Sequence, residues 1–299
     1  MLTVDVVVAV CNEEGNIPSF VDEIESLNLP RNIRLRVVFV EDSSTDRTRP
    51  LLRELARSHS CVSYYFLTRG YGQGLAIVFG MSRSEADAII MMDGDGSHPI
   101  AVIPELIQRH LAGAKVVQCV RQALPDRKLY RKVGARVFQA LASIVTGADT
   151  LEQNIFYRLV SREIAKEICV TPRYWRWLRF PLPHDTHGAV AKVHINSRER
   201  IAGASKYTLP RLVGLAIDGV LSLVSVGRLL VILGLTGAFT LLLMIISMDA
   251  LALTIGGFMI VVMVRYYRLV DSDVLARMEV EEVGNVLKSG RKKRTHDWA

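Results

Sequence analysis

Short runs of apolar, largely β-branched residues alternate with helical patterns between residues 4 and 120, and this alternation restricts the chain to a few α/β architectures. Val4 to Val10, Leu35 to Val40, Val62 to Leu67, Ala88 to Met92 and Lys115 to Val120 read as strands; Ile17 to Leu27, Asp46 to Ser58, Gln73 to Ser84 and Ile100 to Leu111 read as helices. The strand runs are continuously apolar, so both faces of the sheet are covered, as in a mostly parallel sheet flanked by helices. In open sheets of this kind ligands bind beyond the carboxyl ends of the strands.

Polar clusters fall at those ends. Asn12-Glu13-Glu14 follows the first run, Glu41-Asp42-Ser43-Ser44 the second and Asp93-Gly94-Asp95 the fourth. Asp93 and Asp95, one glycine apart, form a compact set of hard oxygen ligands suited to Mg²⁺ or Mn²⁺ carrying a diphosphate, and Gly94 lets the backbone approach a ligand closely. Each cluster also has a plainer reading. Ser97 would N-cap a helix with Pro99 in its first turn, and Ser44 or Asp42 would cap one opening at Asp46. Three acidic clusters on one edge exceed what capping needs; a metal and a nucleotide account for them. Gly70-Tyr71-Gly72-Gln73-Gly74 lacks the spacing of a dinucleotide fingerprint and reads as a flexible loop entering the next helix.

Hydrophobic residues make up 50% of the 299 and the mean hydropathy is +0.24, high for a soluble protein. The excess is localised in Leu229 to Ile246 and Ala250 to Val264, separated by Ser247-Met248-Asp249. Neither stretch has a polar face, so they predict a transmembrane hairpin more readily than a buried helix pair. Arg228 before it, Arg265 and Arg268 after it and Arg291-Lys292-Lys293-Arg294 in the tail put both termini in the cytoplasm by the positive-inside rule. The N-terminus carries no secretory signal pattern. Four scattered cysteines, Cys11, Cys61, Cys119 and Cys169, indicate neither a zinc site nor a disulfide framework.

The net charge of +7 is uneven. Between Arg109 and Arg136 lie eight Lys or Arg and one acid, Asp126, and beside a membrane anchor such a patch favours anionic lipid or a lipid phosphate over nucleic acid. Arg127 to Gly147 reads as a basic amphipathic helix, with Leu129, Val133, Val137, Leu141 and Ile144 on one stripe. Thr208 to Val226 is predicted to lie in the membrane interface.

These residues resemble the membrane-bound polyprenyl-phosphate glycosyltransferases of glycosyltransferase family two, which include dolichol-phosphate mannose synthases and bactoprenol glucosyltransferases. The resemblance runs in order through Val6-Val7-Val8-Ala9-Val10-Cys11-Asn12-Glu13-Glu14, Glu41-Asp42-Ser43-Ser44-Thr45-Asp46, Asp93-Gly94-Asp95-Gly96-Ser97-His98-Pro99 and Arg200-Ile201-Ala202-Gly203-Ala204-Ser205-Lys206-Tyr207. It implies a GT-A catalytic domain over residues 1–207, Rossmann-like with a mostly parallel sheet, then interfacial amphipathic helices (208–228), a two-helix transmembrane hairpin (229–267) and a cytoplasmic tail (268–299). Ala9, Asn12, Glu13, Val40, Asp42 and Gly94 would hold the nucleotide, Asp93, Asp95 and Ser97 the Mg²⁺ or Mn²⁺, and Arg121, Arg131, Arg158, Arg200 and Lys206 the acceptor phosphate, with Asp93, Asp95, Arg121 and Arg131 central to catalysis. The expected reaction transfers one sugar from a nucleotide-diphosphate sugar, a UDP-hexose ahead of GDP-mannose, to polyprenyl (undecaprenyl) phosphate at the cytoplasmic face of the inner membrane, with inversion. The family also forms tetramers, so a homo-oligomer is expected, and Gly234, Gly237, Gly256 and Gly257 offer small helix surfaces for it.

The chain departs from the family pattern at several positions. Cys11 replaces a usual tyrosine, Glu41 an aspartate, Ser97 a glutamine that completes the metal shell, Ala135 a serine near the acceptor phosphate and Gln73 a frequent lysine. These affect sugar and base identity, not the reaction class. Two other readings stay open. Arg173-Tyr174-Trp175-Arg176-Trp177 resembles the Gln-x-x-Arg-Trp motif of processive polysaccharide synthases, though with Arg173 for glutamine and a single hairpin that offers no channel. A membrane-tethered nucleotide-sugar-binding scaffold is the non-enzymatic reading, against which the retained Asp93, Asp95, Arg121, Arg131 and Arg158 argue.

Overall fold

A computed structural model describes residues 1–121, 154–172, 190–195, 226–245, 249–269, 274–275 and 277–285. Strands β1 (Leu2–Val10), β2 (Ile33–Glu41), β3 (Val62–Leu67), β4 (Ala88–Asp93), β5 (Val116–Arg121), β6 (Asn154–Ser161), β7 (Val190–Ile195) and β8 (Val280–Gly284) form one mixed sheet in the order β7-β5-β6-β4-β1-β2-β3-β8. Four of the seven pairings are parallel; β6 runs antiparallel to β4 and β5, and β8 antiparallel to β3. This is a GT-A-like α/β fold.

The helices follow from the same logic of burial. On one face α1 (Ile17–Glu25), α2 (Thr48–Ser58) and α4 (Ile103–Leu111) bury Phe20, Leu52 and Leu106 against Val6, Val8 and Ile90. On the other, α3 (Gln73–Ser82) and α5 (Arg162–Val170) bury Ile77, Phe79 and Ile168 against Val7, Val40 and Met91. β1, β2 and β3 are laid down in one direction, and α3 then crosses the opposite face to deliver β4 on the far side of β1. The strand order thus reverses between β1 and β4, the switch point at which doubly wound sheets open a crevice.

The five strands and four helices expected before residue 121 are all present, with ends that differ by a few residues. Ser97 does not cap a helix. A 3-10 turn, Ile100–Val102, precedes α4, and the residues at the two N-cap positions, Pro99 and Val102, make no side-chain cap. Three strands lie outside the sequence-based reading: β6, which contains Phe156-Tyr157-Arg158-Leu159, edge strand β7, and β8 within the expected tail.

Helices α6 (Val226–Ile245) and α7 (Asp249–Leu269) pack against each other as a hairpin. Among the residues whose side chains are described, no helix is long and apolar enough to cross a membrane. The hairpin nevertheless exposes Leu235, Phe239, Leu253, Phe258 and Ile260 by half or more of their surface. A Cβ placed on Gly234, Gly237, Gly256 or Gly257 would meet nothing within 4 Å.

Candidate active site

Register brings the sequence clusters together. Ala9 on β1 is opposite Val40 on β2 and Asp93 on β4, and Val10 is opposite Glu41. The segments that follow therefore leave the sheet side by side at the switch point.

The first two segments interlock. Asn12 adopts a left-handed conformation (φ 55°), as does Ser43 (φ 66°), an uncommon backbone that persists where surrounding bonds enforce it. The Asn12 N–H donates to Ser44 Oγ at 2.9 Å, and its Oδ1 accepts the Thr45 N–H at 2.7 Å. The Glu13 N–H donates to Thr48 Oγ1 at 3.0 Å, the Arg47 N–H to Glu14 Oε2 at 2.8 Å, and Asn16 Nδ2 to Glu13 Oε2 at 2.6 Å. Ser44 is thus committed to the neighbouring loop, and the N-cap residue of α2, Arg47, makes no side-chain cap. Capping does not explain this cluster.

Asp42 ties these two loops to a third segment. Its N–H donates to the Val10 carbonyl at 2.9 Å, and its carboxylate accepts the backbone N–H groups of Tyr71 at 2.7 Å and Gly72 at 2.8 Å. Burial pushes its pKa up; the two amides pull the other way, and Glu41 adds to the rise. The loop expected to be merely flexible is thus folded onto Asp42, with Gly72 at φ 91°, a backbone that favours glycine. Glu41 is wholly buried and accepts the Ser44 N–H and the Nε of Arg49. Val40 is buried too, its Cγ2 close against Gly80, so any contact it makes with a nucleoside runs through its backbone.

At the end of β4, among the described residues, the Asp93 carboxylate meets the Gln73 amide on one oxygen and Nε2 of the buried His98, 3.3 Å away, on the other. The His98 ring lies 5.2 Å from that of Tyr157, whose hydroxyl donates to the Pro99 carbonyl at 3.2 Å. Asp95 Oδ1 accepts the Ser97 N–H at 3.1 Å. The close approach at Gly94 is to β1: a Cβ there would lie 2.8 Å from Val10 Cγ1 and 3.0 Å from Val8 Cγ1. Among the described residues no group of three or more His, Cys, Asp or Glu side chains could hold a metal by itself. Two carboxylates fit a hard cation that completes its shell from diphosphate and water, and the all-oxygen donor set is of that kind.

Gln73 and His98 are contacts that sequence reasoning left without a role. The glycine-rich loop before Gln73 and the position of His98 at the close of the aspartate motif are the signals that could have located them.

Arg158 sits opposite Met91 on β4 and Gln118 on β5, and so leaves the sheet on the face shared by Met91 and Asp93. It is 1% exposed, and burial lowers its pKa to about 10. Arg121 ends β5, opposite Ile195; its side chain lies outside the described residues. So do Arg131, Arg200 and Lys206, the basic helix expected at 127–147, Ala135, the segment Arg173 to Trp177, the interfacial stretch 208–225 and the tail basic cluster.

Comparison with known proteins agrees with this geometry. Residues 5–180 match Glycosyl transferase family 2. A bactoprenol glucosyl transferase of Shigella phage SfV is 31% identical over 223 residues, 74% of this chain and 72% of that one. A prophage bactoprenol glucosyl transferase homolog of Escherichia coli K12 is 32% identical over the same shares of each. An undecaprenyl-phosphate 4-deoxy-4-formamido-L-arabinose transferase of Pseudomonas aeruginosa is 29% identical over 72% of this chain and 63% of that one. Among solved structures, glucosyl-3-phosphoglycerate synthase from Mycobacterium tuberculosis, crystallised with Mn²⁺, UDP and glucosyl-3-phosphoglycerate, superposes with a TM-score of 0.52 at 20% identity, covering 76% of this chain and 80% of that one. Mannosyl-3-phosphoglycerate synthase from Rubrobacter xylanophilus does so with 0.54 at 17%, covering 74% and 72%; at these identities the likeness concerns the fold. With the interlocked Asn12 and Asp42 loops and the Asp93 turn at its switch point, this chain belongs to glycosyltransferase family 2, and its relatives there are polyprenyl-phosphate glycosyltransferases.

Proposed function

We propose that the chain transfers a single sugar from a nucleoside-diphosphate sugar, a UDP-hexose ahead of GDP-mannose, to polyprenyl phosphate at the cytoplasmic membrane face, with inversion at the anomeric carbon. The observation that carries this reading is the meeting of the Asn12, Asp42 and Asp93 segments at one sheet edge. The names of the relatives support the lipid phosphate as acceptor.

The topology supports a site that faces a bilayer. β7 runs parallel to β5 and ends at the same carboxyl edge, from which the chain leaves towards α6. Leu67, the last residue of β3, is opposite Val280, so the chain returns from α7 at that edge too. Across the whole sequence, α6 carries one charge, Arg228, and α7 carries Asp249, Arg265 and Arg268 near its ends. Helices of 20 and 21 residues reach about 30 Å, the thickness of a hydrocarbon core. Their exposed leucine, isoleucine and phenylalanine surface would be unfavourable in water. The open surface at Gly234, Gly237, Gly256 and Gly257 supports packing against a second copy.

In the mechanism we infer, Asp42 accepts hydrogen bonds from the nucleoside, already oriented by the Tyr71 and Gly72 amides. Asp93 and Asp95 would hold Mg²⁺ or Mn²⁺, with Ser97 beside them, and a bound cation would supply Lewis-acid neutralisation of the charge on the departing diphosphate. A phosphate acceptor is already anionic at neutral pH, so no side chain need take a proton from it before attack. Arg121, Arg131, Arg158, Arg200 and Lys206 are assigned to the acceptor phosphate, for which the guanidinium fork is suited.

Incubating the purified full chain with labelled UDP-glucose, UDP-galactose or GDP-mannose and undecaprenyl phosphate, with and without Mn²⁺, tests this. A lipid carrying one sugar is expected. Polymer would establish a synthase, and tight nucleotide binding without turnover a scaffold.

A further inference from the structure

β8 lies downstream of the hairpin, yet it is built firmly into the catalytic sheet. Tyr64 is opposite Gly284, where a Cβ would lie 2.2 Å from the Tyr64 ring. Glu282 pairs with Arg53 and accepts the Tyr64 hydroxyl at 2.7 Å, and Arg53 in turn lies 5.0 Å from the centroid of the Phe66 ring. Met278, just ahead of the strand, is buried in the core.

Two contacts run from this segment into the pocket around Asp42. Arg49, on α2, is shared among three parts of the edge. Its Nη1 bonds Glu281 Oε2 at 2.6 Å, its Nη2 donates to the Leu67 carbonyl at 2.7 Å, and its Nε donates to Glu41. Glu41 accepts the Ser44 N–H, directly after left-handed Ser43. Separately, the Glu279 N–H donates to the Tyr71 hydroxyl at 3.4 Å, and the Tyr71 amide is one of the two that orient Asp42. The planar guanidinium presents donors in fixed directions, so three acceptors set its position more tightly than two.

We propose that the segment after the hairpin, through Glu281, is a positioning element for the donor pocket, acting by way of Arg49 and Glu41 on the Asp42–Ser44 turn. The proposal rests on the reading of that pocket as the nucleoside site. Glu281 is 54% exposed and Arg49 21%, and an ion pair of that exposure adds little to folding stability. Its consequence is geometric: the chain returning from the hairpin sets the shape of the turn that meets the nucleoside.

The test uses the full chain in detergent. Binding of UDP and of GDP in Mn²⁺ is measured by calorimetry, and donor and acceptor kinetics are measured with undecaprenyl phosphate, for the wild type, Glu281→Gln, Glu281→Asp and Arg49→Lys. Glu281→Gln is expected to raise the nucleotide Kd and the donor KM about five- to tenfold, a change of the size expected for one lost positioning contact. The value of kcat and the acceptor KM should stay within about twofold and the melting temperature within about 2 °C, as for an exposed pair. Glu281→Asp should recover part of the loss, and Arg49→Lys should match or exceed it. Unchanged nucleotide binding in Glu281→Gln would overturn the proposal and leave the donor pocket standing, as would a loss confined to kcat or matched by a large fall in melting temperature. A wild type that binds neither nucleotide would remove the pocket reading, and the proposal with it.

Discussion

Asp42 Oδ1 accepts the backbone N–H of Tyr71 at 2.7 Å across 29 residues of sequence, so this carboxylate is oriented by a distant loop before any ligand arrives. Its pKa lies above the ordinary aspartate value of 3.8, chiefly through burial. A raised value in the fold means that the group contributes stability below pH 3.8 and loses that contribution as pH rises through the higher value. The fold thus penalises the ionised form of this carboxylate, as expected of a residue retained for binding.

The pH dependence follows from that sign. Only the ionised form of Asp42 offers all its lone pairs to a nucleoside, so donor affinity should fall as pH drops through the raised pKa. The acid limb of kcat/KM for the donor should lie above pH 3.8. Asp42→Asn turns one acceptor into a donor facing a backbone amide. It should weaken UDP binding at pH 7 by about tenfold or more, about 1.4 kcal/mol, and flatten the acid limb. Calorimetry and donor kinetics measured across the acid range check both.

Asp93 and Asp95 are expected to differ in kind from Asp42. Asp93→Asn and Asp95→Asn should lower kcat by roughly 10²- to 10³-fold, as when a main electrostatic stabiliser of a leaving group is removed. Each should also abolish high-affinity Mn²⁺ binding, read by electron paramagnetic resonance without turnover. Wild-type Mn²⁺ affinity in both variants would refute the metal assignment.

Much of this edge was legible in the sequence because it is local. Each acidic cluster directly follows a continuous apolar run, and the parallel sheet does the rest by aligning carboxyl ends. What was not legible is non-local or atypical. Val280-Glu281-Glu282-Val283-Gly284 carries two acids in five residues, and its partner β3 lies more than 200 positions earlier, so neither hydropathy nor proximity signals a strand. Ser97 matched a capping pattern, but the extended backbone of Pro99 (ψ 113°) and the 3-10 turn after it delay the helix to Ile103 and Pro104. Arg158, placed with the acceptor by the family resemblance, lies within β6 between β4 and β5 and is almost wholly buried.

The opposite edge of the sheet should govern stability and not transfer. Asp5 is wholly buried, accepting Arg36 Nε and Nη2 at 2.7 Å each and Ser84 Oγ at 2.6 Å, and this pairing raises the Arg36 pKa. Arg36→Met would strand the carboxylate in the core and should cost about 3 kcal/mol, near the lower bound for a buried pair since Arg36 is partly exposed. Asp5→Leu combined with Arg36→Met should recover most of that loss. Denaturant melts report it, and donor KM should stay unchanged in the double variant.

Gly94 links packing to chemistry. A Cβ at this position would lie 2.8 Å from Val10 Cγ1 and 3.0 Å from Val8 Cγ1, both on the strand that leads to Asn12. Gly94→Ala must therefore push the Asp93–Asp95 turn away from β1 or displace the two valines, at a cost of about 1–3 kcal/mol for overpacking. Displacement of the turn would separate the two carboxylates from the Asp42 pocket, so Mn²⁺ affinity and kcat should fall together while UDP binding without metal holds. Val10→Ala removes the nearer methyl. The Gly94→Ala/Val10→Ala pair should regain part of both stability and Mn²⁺ affinity, a coupling that a double-mutant cycle measures directly. Strict additivity in that cycle would show that the Gly94 effect arises elsewhere than at β1.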